Sequence, residues 1–427
     1  DGTLKVAVNE GIVEGFKVKG NVKTKDYVVT REMKLKKGEP FNAKAARRSM
    51  QRVYNLGYFE DVNIKLNPGR EPNGVEVEIS VVEMNTGTFG IGAGYSNADG
   101  FVGMVSIGDK NFRGIGDKIN LRWEFGGEDN KNYDFSYTRP WLDDKETSAT
   151  INLYDITNEY ADYNIDGDEI ARYDKKRRGQ EITFSRRTHN EFISNYITIK
   201  NRDDIYKGEA DGYEGDENQY YEDKFNQSSK YESWMPKTAA ERRKENFGVT
   251  RSITFGRVYD SRDNIYDPHE GKRIGYSVEW AGGMGGDFDF TKWTADWRYY
   301  FRAGGESVWA LNLGAGYASG DMPLSQRFTM GGSDTLRGYE DDQFRGNSML
   351  KATLEYRFPI VKKVQGVLFT DNGYAWDKRH EDEFDMGLLK NSYGVGLRIN
   401  SPLGPVKLDY GYGEDGGKFH FSFGGQF

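Results

Sequence analysis

Residues able to do covalent chemistry are few and scattered in this sequence. The four histidines, His189, His269, His380 and His420, share no local motif, and neither HExxH nor GxSxG occurs. There is no cysteine, which removes disulfides, thiolate metal sites and thiol nucleophiles, and fits an oxidising envelope compartment without requiring one. Asp162, Asn164, Asp166 and Gly167 fit the first half of a calcium loop, but position twelve is Tyr173 where a bidentate Glu is needed. The expectation there is a solvated acidic loop, with a weak calcium site as the alternative. Gly90, Gly92 and Gly94 form Gly-x-Gly-x-Gly, yet no helix follows, so nucleotide binding is set aside. One further run, Gly331-Gly332-Ser333-Asp334-Thr335-Leu336-Arg337-Gly338-Tyr339, places a single arginine among small and aromatic residues. On composition alone such a run is more often a solvated turn. No enzymatic activity and no cofactor are expected.

The elements that must position these residues come from a chain of 427 residues that is only 36% hydrophobic, with a mean hydropathy of -0.80. An ordinary large buried core looks under-supplied. Glycine, 53 residues, is about 12% of the chain against a usual ~7%, while prolines number only 10 and aromatics reach 14%, which argues against disorder. No window of ~18 apolar residues exists, which excludes a transmembrane helix but not a transmembrane barrel, whose strands need only ~10 alternating residues. A net charge of -8, from 59 basic and 67 acidic side chains, gives no nucleic-acid footprint. No signal peptide starts at Asp1, so the chain reads as mature or as a fragment.

Residues 11–84 carry the convincing helical periodicity. A strand, Val13 to Lys19, ends at Gly20-Asn21, and a helix is expected from about Lys25 to Met33. A second helix has Asn42 as N-cap, apolar Ala43, Ala46, Met50 and Val53 at helical spacing, basic Lys44, Arg47, Arg48 and Arg52 on other faces, and Gly57 as its stop. Strands Asp61 to Leu66 and Gly74 to Val82 complete a β-α-α-β-β order, the last either offering a free edge to client or accessory segments or serving structural packing. The run "GEPFNAKAARRSMQRVYNLGYFEDVNIKL" resembles the helix, turn and middle strand of a POTRA domain. Thr3 to Val8 resembles the last strand of another such domain, so residues 1–10 are read as the end of a truncated predecessor.

From Asn85 onward the period changes to two. Phe89, Ile91, Ala93 and Tyr95 alternate with glycines; Trp293, Ala295, Trp297 and Tyr299 alternate with Thr294, Asp296 and Arg298; Phe419, Phe421 and Phe423 alternate with His420, Ser422 and Gly424. A soluble sandwich would carry many more Lys and Glu than Gly on its outward faces. The inverted reading fits better, apolar residues toward lipid and polar, glycine-rich positions toward a lumen. Sixteen such segments are expected, centred near 91, 106, 121, 135, 151, 182, 197, 252, 277, 296, 312, 354, 368, 396, 408 and 422. Short connections at 113–116, 303–306 and 401–405 fall on one side; long ones at 158–178, 203–245, 319–347 and 376–391 fall on the other. The fold expected is thus a transmembrane antiparallel β-barrel of 16 strands over residues 85–427, preceded by a small α+β (βααββ) POTRA domain over 11–84.

"GGSDTLRGYE" resembles the VRGY/F motif of the BamA family of outer-membrane protein assembly factors. The junction "VVEMNTGTFGIGAGYS" and the turn "YDSRDNIYDPHEGKR", with Arg262, Asp263, Pro268 and Gly271, also resemble that family. The resemblance covers nearly everything from residue 11 except the acidic loops. It implies that Leu336, Arg337, Gly338 and Tyr339 fold back into the lumen and that Arg337 meets Glu355 or Asp371, since a forked guanidinium needs carboxylates and Lys would not replace it. It also implies a lateral seam between the first and last strands, at Phe89, Gly90, Gly92, Gly94, Phe421, Phe423, Gly424, Gly425 and Phe427, where glycine weakens strand pairing. The implied function is an outer-membrane insertase with its POTRA domain in the periplasm. Unfolded barrel clients, the lipid bilayer, periplasmic chaperones and accessory assembly proteins are its implied partners. A two-partner secretion transporter, whose family shares the RGY motif, is the alternative function, and a passive porin or surface receptor is the third; for the seam, the alternative is a permanently closed barrel.

Overall fold

The computed structural model of the chain describes residues 11–96, 100–126, 130–163, 169–209, 244, 246–265, 267–376, 386–401, 404–414 and 416–423. The expected strand Thr3 to Val8 lies outside them. By internal contacts the chain divides into two units: one runs up to Gly90 and includes Ser106–Leu121 and Tyr137–Pro140, and the other holds the remainder.

The first unit begins with β1 (Ile12–Lys19), α1 (Asp26–Thr30), α2 (Ala43–Tyr54), β2 (Phe59–Pro68) and β3 (Gly74–Glu83). The Asn42 side chain accepts hydrogen bonds from the Lys44 and Ala45 amides, so α2 starts at its expected cap. The helices bury Val28, Val29 and Val53 against Val13, Val77 and Ile79 of the sheet, each worth roughly 1.5–3 kcal/mol of apolar burial. Two expectations need correction. Arg52 is buried, not on an outer face: its Nη2 donates to Glu32 Oε2 at 2.7 Å and its Nε to the Glu32 carbonyl at 3.1 Å, so the pair neutralises itself inside the core. Strand β3 is central in the order β1-β3-β2, parallel to β1 and antiparallel to β2. It therefore offers no free edge, and the edges belong to β1 and β2.

The rest of this unit is a turn and its flanking strand ends. The Gly114 carbonyl accepts from the Lys25 amide at 2.8 Å, Asn111 Nδ2 donates to Thr24 Oγ1 at 2.8 Å, and Lys23 Nζ reaches Asp109 Oδ2 at 2.8 Å. Glu83 receives the amides of Lys23 (2.9 Å) and Thr24 (2.7 Å). Burial pushes its carboxyl upward, but these donors outweigh that and hold it below the usual carboxylate range.

The sixteen-stranded antiparallel sheet runs through β4 (Gly87–Ser96), β5 (Gly100–Phe112), β6 (Asp117–Gly126), β7 (Asn130–Arg139), β8 (Thr147–Tyr163), β9 (Glu169–Arg187), β10 (Ile193–Glu209), β11 (Gly248–Asp260), β12 (Gly271–Gly286), β13 (Phe290–Gly304) and β14 (Ser307–Gly320). After a small hairpin, β15 (Phe328–Met330) with β16 (Phe344–Gly346), it continues through β17 (Ser348–Val361), β18 (Val364–Trp376), β19 (Lys390–Ser401), β20 (Gly404–Gly413) and β21 (Gly416–Phe423). Neighbours in sequence are neighbours in the sheet, β14 pairing β17 across the hairpin, with β4 and β21 at the ends of the order. All sixteen expected centres fall inside strands.

The alternation sorts the side chains as expected. Trp293, Trp297, Tyr299, Leu354, Leu368 and Tyr410 are exposed, whereas Glu355, Asp371, Arg398 and Asp409 are buried. A sheet exposing its apolar face is suited to lipid, where every backbone group must be paired within the strands. The expected long connection at 158–178 is largely strand instead: β8 and β9 pair from Thr147↔Arg186 to Tyr163↔Glu169. Backbone ladders need no apolar side chains, and Lys176 to Asp155 (2.9 Å) bridges the two strands in this polar stretch.

Candidate functional site

The connection between β14 and β17 is a built structure. Its tip is a tight turn in which Gly332 and Leu336 exchange backbone hydrogen bonds at 3.1 and 3.2 Å, and Thr335 Oγ1 bridges both the amide and the carbonyl of Gly331. Leu336 and Tyr339, both fully buried, pack with Met330, Phe344, Tyr374 and Ala375. The Tyr339 hydroxyl donates to the Asn391 carbonyl (3.1 Å) and accepts from the Glu414 amide (3.2 Å). Gly338 has φ +91°, a left-handed conformation that a side chain would strain. It lies directly on β20, where a Cβ on Gly411 would meet Gly338 N at 2.6 Å. The glycine is what lets the loop touch the wall.

Arg337 sits between these contacts and is 4% exposed. Its Nε and Nη2 donate to the two oxygens of Asp371 at 2.7 and 2.8 Å, a forked pair, and its Nη1 donates to Glu355 Oε1 at 2.7 Å. Its own amide also donates to Asp371 at 3.1 Å, and its guanidinium carbon lies 3.5 Å from the centre of the Phe369 ring. Arg337 thus meets both Glu355 and Asp371.

Three further wall residues complete the cluster, and none was singled out from the sequence. Glu355 also receives Arg357 (Nε, 2.9 Å) and Arg398 (Nη2, 3.2 Å), and Asp409 receives Arg398 at 2.7 Å and lies 3.6 Å from Arg337. Three guanidinia therefore face three carboxylates, a balanced set in a place where an unpaired charge would be costly. Asp409 alternates with Leu408 and Tyr410 and could have been read as inward-facing. That it meets Arg398 depends on the β19–β20 register, Gly396 opposite Asp409 and Arg398 opposite Lys407. The loop is also tied to the last strand. His420 Nε2 accepts the Gly338 amide at 3.0 Å, and Lys418 pairs with Glu340.

Of the residues expected at the seam, Phe89 and Phe421 expose 61% and 63% of their surface on the apolar face, in β4 and β21 respectively. Gly90, Gly92 and Gly94 lie in β4, and Phe423 ends β21; Gly424, Gly425 and Phe427 lie outside the described residues. Asp162 falls in β8, not a loop, while Asn164 and Asp166 lie outside the described residues. The turn after β11 has Arg262 forked onto Asp260 (2.9 and 2.7 Å) and Asp263 capping the amides of His269 and Glu270, with Gly271 at φ +101°.

Comparison with known proteins gives one consistent setting. Residues 111–427 match the Omp85 superfamily domain, and residues 12–84 match POTRA, described as a surface antigen variable number repeat. The chain is 30% identical to the outer membrane protein assembly factor BamA of Nitratidesulfovibrio vulgaris, over 98% of this chain and 51% of that protein. The chain spans about half the length of the curated relatives it matches. Among solved structures it resembles BamA from Haemophilus ducreyi lacking POTRA domains 1–3 (TM-score 0.56, 21% identity, 96% of this chain and 83% of that one). It also resembles CdiB from Acinetobacter baumannii (TM-score 0.63, 15% identity, 97% and 73%). At these identities the two structures establish a shared barrel fold.

Proposed function

This chain belongs to the Omp85 superfamily, and from that premise we propose that it is the barrel-bearing part of an outer-membrane insertase, which folds and inserts other β-barrel proteins without covalent chemistry. The barrel lies in the outer membrane, and the POTRA domain, residues 11–84, stands in the periplasm, where it meets unfolded clients together with chaperones and accessory assembly proteins. The observation that carries the reading is the loop: an arginine forked onto Asp371 and bonded to Glu355 inside the polar face of a sheet whose other face suits lipid. The curated relative's name supports assembly.

In this reading β4 and β21 form a lateral seam. The edge of β4 templates an incoming strand by backbone pairing, and pockets for alternate side chains select clients. Client folding into lipid is downhill, so no nucleotide is required.

The second reading is export of an unfolded substrate through the lumen. The barrel fold is shared with CdiB, which the structure overlays at the higher TM-score, so the fold does not separate the two. Depletion of the full-length protein in its host, followed by mass spectrometry of the outer-membrane proteome, separates them. General loss of barrels supports the insertase; loss of a single secreted substrate moves the assignment to the transporter. A cysteine pair engineered across β4 and β21 tests the seam: activity should stop on oxidation and return on reduction, and full activity with the seam locked contradicts lateral opening.

A further inference from the structure

The turn between β11 and β12, residues 261–270, is more elaborate than a strand reversal needs. Beyond the Arg262–Asp260 fork and the Asp263 cap, Arg262 Nη1 donates to the Ile265 carbonyl at 3.3 Å, and the Ser261 amide donates to the Lys272 carbonyl at 2.9 Å. The turn also leaves its own strands. Gln365 Nε2, at the start of β18, donates to both oxygens of Asp267 at 3.2 and 3.0 Å. In the sheet β13, β14 and β17 lie between β12 and β18, so the turn crosses the end of three strands to make this contact.

Near the same end of β17 is Arg357, which is buried. Its Nε and Nη2 both donate to a single oxygen of Glu355, Oε2, at 2.9 and 2.7 Å. The other oxygen, Oε1, is left to Arg337 at 2.7 Å and Arg398 at 3.2 Å. A guanidinium facing a carboxylate commonly forks onto both oxygens, and a fork here would compete with Arg337 for Oε1. What draws Arg357 off the fork comes from the turn. Its guanidinium carbon lies 5.7 Å from the centre of the Tyr300 ring, and Arg262 also meets Tyr300, so the two arginines share one buried tyrosine. The side chains that act electrostatically on Arg357 are Glu355, Tyr300 and Asp267, in falling order.

We propose that Asp267 is a positioning residue for the arginine-anchored loop: clipped to β18 by Gln365, its carboxylate draws Arg357 toward the turn and so reserves Glu355 Oε1 for Arg337. Asp267 touches neither the loop nor Glu355 in this arrangement and acts through Arg357. Without its charge, Arg357 has Glu355 as its one carboxylate partner, settles into the fork, and loosens Arg337. The turn 261–270 is then the base on which the loop's anchor is set. Retention of the loop by Asp267 needs neither functional reading; its use in assembly rests on the insertase reading.

The test uses the full-length protein in detergent micelles, with cleavage within 331–340 followed by limited proteolysis. Asp267→Asn is isosteric, keeps an acceptor for Gln365 and removes the charge; it should speed that cleavage by roughly fivefold or more. Gln365→Ala removes the clip and keeps the charge, and its effect should be smaller. Because Asp267 acts through Arg357, the effect of Asp267→Asn should vanish in an Arg357→Gln background, which a general loosening of the turn would not produce. Unchanged cleavage in Asp267→Asn, an equal or larger effect of Gln365→Ala, or an effect that persists in Arg357→Gln overturns the proposal. The same Asp267→Asn protein, as the only copy in its host, should lower the other outer-membrane barrels. A loosened loop with those barrels at full level supports the positioning role and contradicts the insertase reading instead.

Discussion

The same ion-pair chemistry occurs in two regions of this sheet with opposite consequences. On β8 to β10, Arg178 pairs with Asp203 at 3.5 Å and Lys176 with Asp155 at 2.9 Å. The Arg178 side chain is 57% exposed, so water screens the pair and little stability depends on it. On β17 to β20, Arg337 and its partners are buried to between 1% and 8% exposure, and each carboxylate answers more than one donor. Burying charges is costly unless every one is matched. What the interior cluster gains is register, because the loop can lie against the wall in only one way.

The largest effect should come from Arg337→Glu, which puts a fourth carboxylate among three. The loop should detach at a cost of about 3–5 kcal/mol, seen as protease cleavage within 331–340 and a lower unfolding midpoint, and assembly should fail. Gly411→Val comes next, since its side chain would meet the backbone of Arg337 and Gly338. A cost of about 1–3 kcal/mol should appear with the same cleavage, although no charge has changed. His420→Ala removes the acceptor of the Gly338 amide and should cost about 1 kcal/mol, read as faster hydrogen exchange at the loop tip.

Glu83 is intermediate, a carboxylate held by backbone amides. Its folded-state pKa is depressed below the ordinary 4.5, so its contribution is complete above the unfolded value and is lost as pH falls through the lower folded value. Protection against hydrogen exchange at Lys23 and Thr24, taken relative to the intrinsic rate at each pH, should therefore fall on acidification in the wild type and be low at all pH values in Glu83→Gln. The smallest effect is expected from Arg178→Ala, within about 1 kcal/mol. A larger loss there would erase the contrast between the two regions.

Much of this was legible in the sequence because alternation has only two outcomes at each position. Leu354 and Glu355, or Leu408 and Asp409, sort themselves once a strand is recognised. The loop motif was legible through family resemblance; by composition it was a turn. Which carboxylates share which arginine was not, because Arg357, Arg398 and Asp409 meet through register between strands far apart in sequence. By alternation with Tyr410 and Tyr412, Gly411 is one more inward glycine, and its close contact with Gly338 exists only after the loop has folded back. His420, one of four scattered histidines, was passed over for the same reason. The polar run 158–178 is expected as a long connection, and the paired strands β8 and β9 show that the ladder extends through much of it. Whether strand β3 was an edge or packed inside the sheet stayed open in the sequence, because its parallel pairing with β1 reverses the order that sequence adjacency suggests.

The most direct measurement of the central claim replaces Arg337 by Lys in the full-length protein, as the only copy in its host. Lysine keeps the charge but cannot fork onto Asp371 while reaching Glu355. The expected result is a variant that accumulates in the outer membrane at its normal level while the other outer-membrane barrels, quantified by mass spectrometry, fall. A full complement of those barrels would contradict the claim that the arginine-anchored loop is part of the assembly machinery.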